Sequence, residues 1–416
     1  MTIKKIFAAL LISAVIILVN IPAAGSVTCA DDEEFLNKLE HDAFLYFLNE
    51  SDPETGLIKD SSRPGSPSSA AAVGFGITAI CIGESKGWIS RIDAENRILK
   101  VLYRFKYGVD QERGFFYRFL NPENGDRFLD SEISSIDTAY FIAGALFAGE
   151  YFRGTEVEKA ARELYERVDW PWMMNGKDSV CKGWKPEYGF FAEHWDSYSE
   201  AMILYALAIG SPTHPIPPDA WFSWKRNAGS YKDYEVICAD SGSLYTYQYS
   251  HAWIDFRKLF EGRINYYDNS VNAVKANRQF CIDNSDMSKT YGENSWGLTA
   301  CIGPDGYRNY GAKPGEAFND GTIAPSGMAG SVVFQDESSV KGLRSLFEKY
   351  GKFLYGKYGF KDAFNLDQNW YAEEYLGVDV GIAIIMIENY RTKMVWQKFM
   401  ELAPIRRWAS ACLSRE

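Results

Sequence analysis

Two stretches constrain the fold more than any others: "AAAVGFGITAICIG", residues 70–83, and "AYFIAGALFAGEYF", residues 139–152, which are apolar on almost every face and dotted with Gly and Ala. A helix of that kind has no side to offer to water, so it must be surrounded by other helices. Apolar residues three and four apart predict further helices over 34–49, 71–85, 94–107, 133–152, 156–168, 198–209, 267–283, 338–350 and 381–402. Fully buried helices mixed with amphipathic ones predict an all-α fold, a double-layered (α/α)6 barrel with inner and outer helices alternating. No fixed-period repeat marks a solenoid. Gly, Pro, Asn and aromatic residues gather between the helices, as in "WKPEYGFFAEHW", which predicts long functional loops.

Lys4 and Lys5 precede an apolar run from Ile6 to Val19 and small residues at 23–26, the pattern of a cleaved export signal over 1–30. The run is shorter than the ~20 residues a spanning helix needs. Cys29 raises lipid attachment as an alternative, although "SVTC" lacks the usual leading Leu. Residues 31–416 then read as one domain, 46% hydrophobic over the whole sequence, with no linker-like break. We expect a monomer in the periplasm or outside the cell.

A net charge of -11 without any Lys/Arg-rich stretch argues against a nucleic-acid partner. The seven cysteines are scattered and the four histidines form no H-E-x-x-H, so no metal site and no cofactor is expected. Serine hydrolase and phosphate-binding signatures are absent, and Ser250, His251 and Asp255 lie too close in sequence for a typical triad.

Carboxylates dominate what remains. "DRFLDSEISSID" places Asp130, Glu132 and Asp137 before or at the head of an apolar helix. In "FFAEHWDSYSE", Glu200 precedes "AMILYALAIG", which offers it no basic partner, and Asp379 heads "VDVGIAIIMIENYR". An acid at a helix start is ordinarily a cap. Three such starts, each followed by an apolar helix, predict that the N-termini converge on one acidic pocket. Aromatic residues lie among these acids. Carboxylates mixed with ring platforms suit a saccharide, and two carboxyls across a cleft are the minimum kit for cleaving a glycosidic bond. Expected substrate contacts are His194, Trp195, Tyr198, His251, Trp296, Tyr307 and Asp379.

Seven ordered motifs, "SSIDTAYFIAGAL", "LYERVDWPWMMN", "WDSYSEAMILYALAIGSPTHPIP", "YQYSHAWIDFR", "NSWGLTACIGPDGY", "DGTIAPSGMAGSVVF" and "VDVGIAIIMIENYRTKMVW", resemble those of the "putative glucoamylase" domain family, which includes glycoside hydrolase family 144. The resemblance runs from about residue 35 to 400. It implies an (α/α)6 barrel, secretion, and inverting, preferentially endo-acting hydrolysis of β-1,2-glucan. Exo-acting release of sophorose, another β-glucan linkage and a silent glucan-binding protein are the alternatives. It also implies that Asp130, Glu132, Asp137 and Glu200 line the catalytic pocket, with Glu200 or Glu132 as acid and Asp130 or Asp137 helping to activate water. This chain departs from the family at Val380, where the last motif usually has Gln.

Overall fold

The computed structural model describes residues 32–239, 242–312 and 317–415, so the expected leader and Cys29 lie outside the described residues. Fifteen α-helices carry the structure. They are α1 (Asp32–Asn49), α2 (Ala70–Ser85), α3 (Arg91–Tyr107), α4 (Ser135–Tyr151), α5 (Glu156–Glu166), α6 (Trp170–Met174), α7 (Met202–Gly210) and α8 (Ala220–Ser223). The rest are α9 (Tyr245–Gln248), α10 (Tyr266–Asp283), α11 (Pro325–Ala329), α12 (Asp336–Leu354), α13 (Gly377–Arg391), α14 (Met394–Phe399) and α15 (Ala403–Cys412).

The helices fall into two kinds. In α2 every residue from Ala70 to Gly83 is buried, and α4, α7 and α13 are buried almost as completely. By contrast α3 buries only Ala94, Ile98, Val101, Leu102 and Phe105, the stripe that its period dictates, and α5 likewise buries one face. The buried helices pack side by side in the order α13, α2, α4, α7, while α1, α3, α5 and α15 cover their outer sides.

Glycine sets the closest of these contacts. A Cβ on Gly74 would lie 2.1 Å from the Tyr140 carbonyl oxygen, and one on Gly144 would lie 2.0 Å from the Gly74 carbonyl oxygen. The backbones of α2 and α4 therefore touch, and no larger residue fits. Serine caps start both helices, with Ser69 Oγ accepting from the Ala72 N–H and Ser134 Oγ from the Asp137 N–H.

The expected helices are present, with two shifts. Residues 198–201 form a turn rather than the head of a helix, so α7 starts at Met202. The expected helix over 381–402 starts earlier, at Gly377, and breaks at Lys393, whose φ of 63° is left-handed, before α14. The loops also carry short antiparallel ladders, including 300–303 with 306–309 and 133–134 with 183–185. Among the described residues no helix is long and apolar enough to cross a membrane.

Replacing Gly144 by Ala forces a methyl group into backbone. The expected loss of stability is about 3 kcal/mol or more, read as a lowered denaturation midpoint with unchanged m-value, whereas Gly292→Ala, where an added Cβ meets nothing within 4 Å, costs far less.

Candidate active site

The starts of α2, α4 and α13 open onto one cleft of about 480 Å³, whose walls include Asp60, Ser69, Arg118, Asp137, Tyr307 and Glu374. Side by side, these helices aim the positive ends of their dipoles at that space, which favours carboxylates there. The sequence places an acid at each of the starts of α4 and α13, and the fold makes them neighbours.

Asp137 lies in the first turn of α4, where Ser134 both caps its N–H and donates its hydroxyl to Oδ2. Burial raises its carboxyl, against the opposing pull of Arg118 and Ser134. Arg118 stands among Asp137, Glu132 and Asp60, and its Nη1 is 3.8 Å from Glu132 Oε1. At Asp60 burial pushes the carboxyl up to about 6 although Arg118 opposes the shift.

Glu200 is 9% exposed and ends the turn that leads into α7. Ser250 locks the backbone there by donating its hydroxyl to the Glu200 carbonyl at 2.6 Å and accepting the Ile203 N–H at 3.0 Å. The buried Tyr140 hydroxyl, which no protein group hydrogen-bonds, feels the charges of both Glu200 and Asp137. Tyr140 thus joins the α4 acid to the α7 acid.

Asp379 lies in the first turn of α13, and Tyr249 donates its hydroxyl to Oδ1 at 3.4 Å. Burial pushes its carboxyl from 3.8 to about 6, against hydrogen bonds from Asp362 and Tyr249. Val380, which stands where the family pattern has Gln, is buried beside Ala383 in a small cavity behind the cleft. Tyr307, on the turn of the 300–309 ladder, exposes 59% of its surface and forms part of the cleft wall.

Other expected site residues are placed differently. Asp130 is almost fully exposed and 3.5 Å from Lys185, an arrangement of the rim rather than of a catalytic floor. Trp195 shows only an edge, since Lys182 lies 4.6 Å over its ring and its Nε1 donates to Ser135 Oγ at 3.0 Å. His194 is held by the Ser179 carbonyl at 2.8 Å through Nδ1.

The sugar-contact role expected of Tyr198, His251 and Trp296 needs correcting, because all three are core residues. Tyr198 is stacked on Tyr266 and packed on Tyr247, and Trp296 is fully buried. His251 packs on Phe256 and Phe334 beside Ser270, with burial pushing it down to about 3, so it stays neutral. Asp60, Arg118, Tyr140, Tyr249 and Asp362 have site positions that the sequence reading missed.

The sequence profile described as "Putative glucoamylase" matches residues 192–403. The chain belongs to this family. A putative glucoamylase structure from Bacteroides uniformis superposes with a TM-score of 0.88 at 29% identity, covering 93% of this chain and 99% of the other. The endo-β-1,2-glucanase of Chitinophaga pinensis, solved with sophorotriose and glucose, gives 0.88 at 27% identity over 93% and 99% of the two chains. An exo β-1,2-glucooligosaccharide sophorohydrolase (non-reducing end) of Parabacteroides distasonis is 30% identical over 90% of this chain, which spans 57% of that protein's length.

Because the folded value of Asp379 lies above its ordinary value, its stabilising contribution is full below about pH 4 and is lost as pH rises through about 6. Asp379→Asn should raise Tm by about 2–4 °C at pH 7 and by much less at pH 4, measured by calorimetry at both values.

Proposed function

We propose that this chain is a glycoside hydrolase that cuts β-1,2-linked glucan with inversion, acting within the polymer. The arrangement of the helix starts carries the reading: Asp137 lines the cleft with Arg118 and the exposed Tyr307, Asp379 lies buried in the small adjoining cavity, and Glu200 is close enough for its charge, like that of Asp137, to act on Tyr140. A neutral, hydroxyl-rich chain satisfies carboxyl groups and a ring platform without bringing charge of its own.

In this reading Glu200, set in an apolar wall, donates its proton to the glycosidic oxygen as the C1–O bond breaks. Asp379 takes a proton from water, whose oxygen adds to C1 from the opposite face. Asp379 suits the basic role better than Asp137, because Arg118 and Ser134 already engage the Asp137 carboxyl, whereas a phenol and another carboxyl stand beside Asp379. Asp137, Glu132 and Arg118 then grip sugar hydroxyls, and Asp130 has no part in the chemistry. The placement of Asp379 in this role revises the expectation that Asp130 or Asp137 activates water.

The inner and outer helix sets support a closed (α/α)6 barrel, and the charged and apolar segments of residues 1–30 support export. Endo action is supported by the likeness to the Chitinophaga enzyme over nearly all of both chains. Exo release of sophorose is the second reading, favoured by the Parabacteroides relative.

Incubation with β-1,2-glucan should release a ladder of oligosaccharides at early times, with the inverted α-anomer seen first by NMR. Glu200→Gln and Asp379→Asn should each lower kcat by about 10²–10⁴. Sophorose as the sole early product would establish the exo reading, binding without cleavage a glucan-capture protein, and near-normal rates in both variants would remove these residues from the mechanism.

A further inference from the structure

Behind the cleft, Asp362 and Asp379 are buried together, 3% and 5% exposed. Asp362 Oδ2 accepts the Ile302 N–H at 2.6 Å, and Asp379 Oδ1 accepts the Tyr249 hydroxyl. The second oxygen of each, Asp362 Oδ1 and Asp379 Oδ2, is buried without a placed hydrogen bond, and the buried Ser326 hydroxyl beside Asp379 is a donor to that carboxyl but not to Asp362. Two ionised carboxyls cannot satisfy one another, and unpaired buried charge is costly.

The one lysine that lines the same small cavity is engaged elsewhere. Lys361, the nearest in sequence, gives its ammonium to Glu373 Oε2 at 2.9 Å. Arg118 serves Asp137, Glu132 and Asp60. The remaining titratable neighbours are Asp60 and Glu374 from the loops, Tyr249 after α9, Cys301 and Tyr307 from the 300–309 ladder, and Tyr46 from α1. All of these are acids or phenols and thiols that hold their protons, so one proton between the carboxyls is what satisfies both orphan oxygens.

We propose that Asp362 is a positioning residue for Asp379: it keeps a proton on Oδ1 and donates it to Asp379 Oδ2, holding Asp379 as an oriented carboxylate whose Oδ1, beside the bond it accepts from Tyr249, keeps a second lone pair for the proton of water. Burial, followed by the charge of Asp379, pushes the Asp362 carboxyl well above the usual range, in keeping with its holding that proton. The pair binds one proton through neutral pH and a second below about 6, where Asp379 ceases to be a base. The assignment rests on the reading of Asp379 as the base in glucan hydrolysis.

Asn at 362 can accept the Ile302 N–H with its oxygen and donate to Asp379 with its amide, whereas Val can do neither. Asp362→Asn should keep kcat within about threefold, while Asp362→Val should lower it at least about tenfold with KM within about twofold and move the acid limb of kcat up by about one pH unit. Infrared spectra at pH 7 should show a protonated-carboxyl stretch that Asp362→Asn removes, a readout that needs no substrate and survives a Val variant that fails to fold. Equal damage from Asn and Val, an unmoved acid limb in Val, or an absent carboxyl band overturns the assignment. If the wild type cuts no β-1,2-glucan, the functional reading fails, and the infrared band still decides where the proton is.

Discussion

The contact between α2 and α4 governs what the rest of the molecule can do. Where Gly74 and Gly144 bring two backbones together, no polar side chain fits between them, and almost the whole length of both helices is closed to chemistry. Polar groups are displaced to the ends. At the N-terminal ends, unpaired N–H groups and helix dipoles make carboxylates tolerable, while burial pushes the same carboxyls up. The balance leaves Asp60 and Asp379 near 6, where a carboxyl can exchange protons in mildly acidic to neutral water.

The opposite ends of these helices show the alternative arrangement. Glu40 of α1 and Glu388 of α13 are as deeply buried as Asp379, but cations accompany them. Lys86, just past α2, lies 2.6 Å from Glu388, and Arg391 pairs with Glu40 and Glu33. Cations suit helix C-termini, and here they tie α1, α2 and α13 together. At the cleft end Arg118 stands among several acids, and Arg63 pairs with Glu374 on the cleft wall. Cations thus accompany the carboxyls that fasten the helices, although burial still pushes Glu40 up to about 8 against them.

The sequence disclosed the helices well because their signals are local. Full apolarity marked α2, α4, α7 and α13. Asp137, Glu200 and Asp379 were legible because each precedes or opens such a helix. Asp60, Arg118 and Asp362 were not, since they sit in unremarkable loops and acquire their chemistry only from partners far along the chain. Aromatic residues misled for a related reason: Trp296 lies in loop-like sequence and Tyr198 at the expected head of a helix, both beside plausible site residues, yet the segments that carry them pack inward and bury them. Residue type announces what a ring could bind, and only the fold announces whether it faces solvent.

Arg118 also explains how carboxyls of similar sequence context come to differ. Asp137 and Asp379 each occupy the first turn of a buried helix and are each raised by burial. Beside Asp137 stand a guanidinium and a capping serine, which favour its charged form and oppose the lift from burial. Beside Asp379 stand a phenol and another carboxyl, which orient it without neutralising it. The loop that delivers Arg118 to the Asp137 side of the cleft therefore gives the two helix-start acids different surroundings, and the proposed division between holding the sugar and moving a proton rests on that difference.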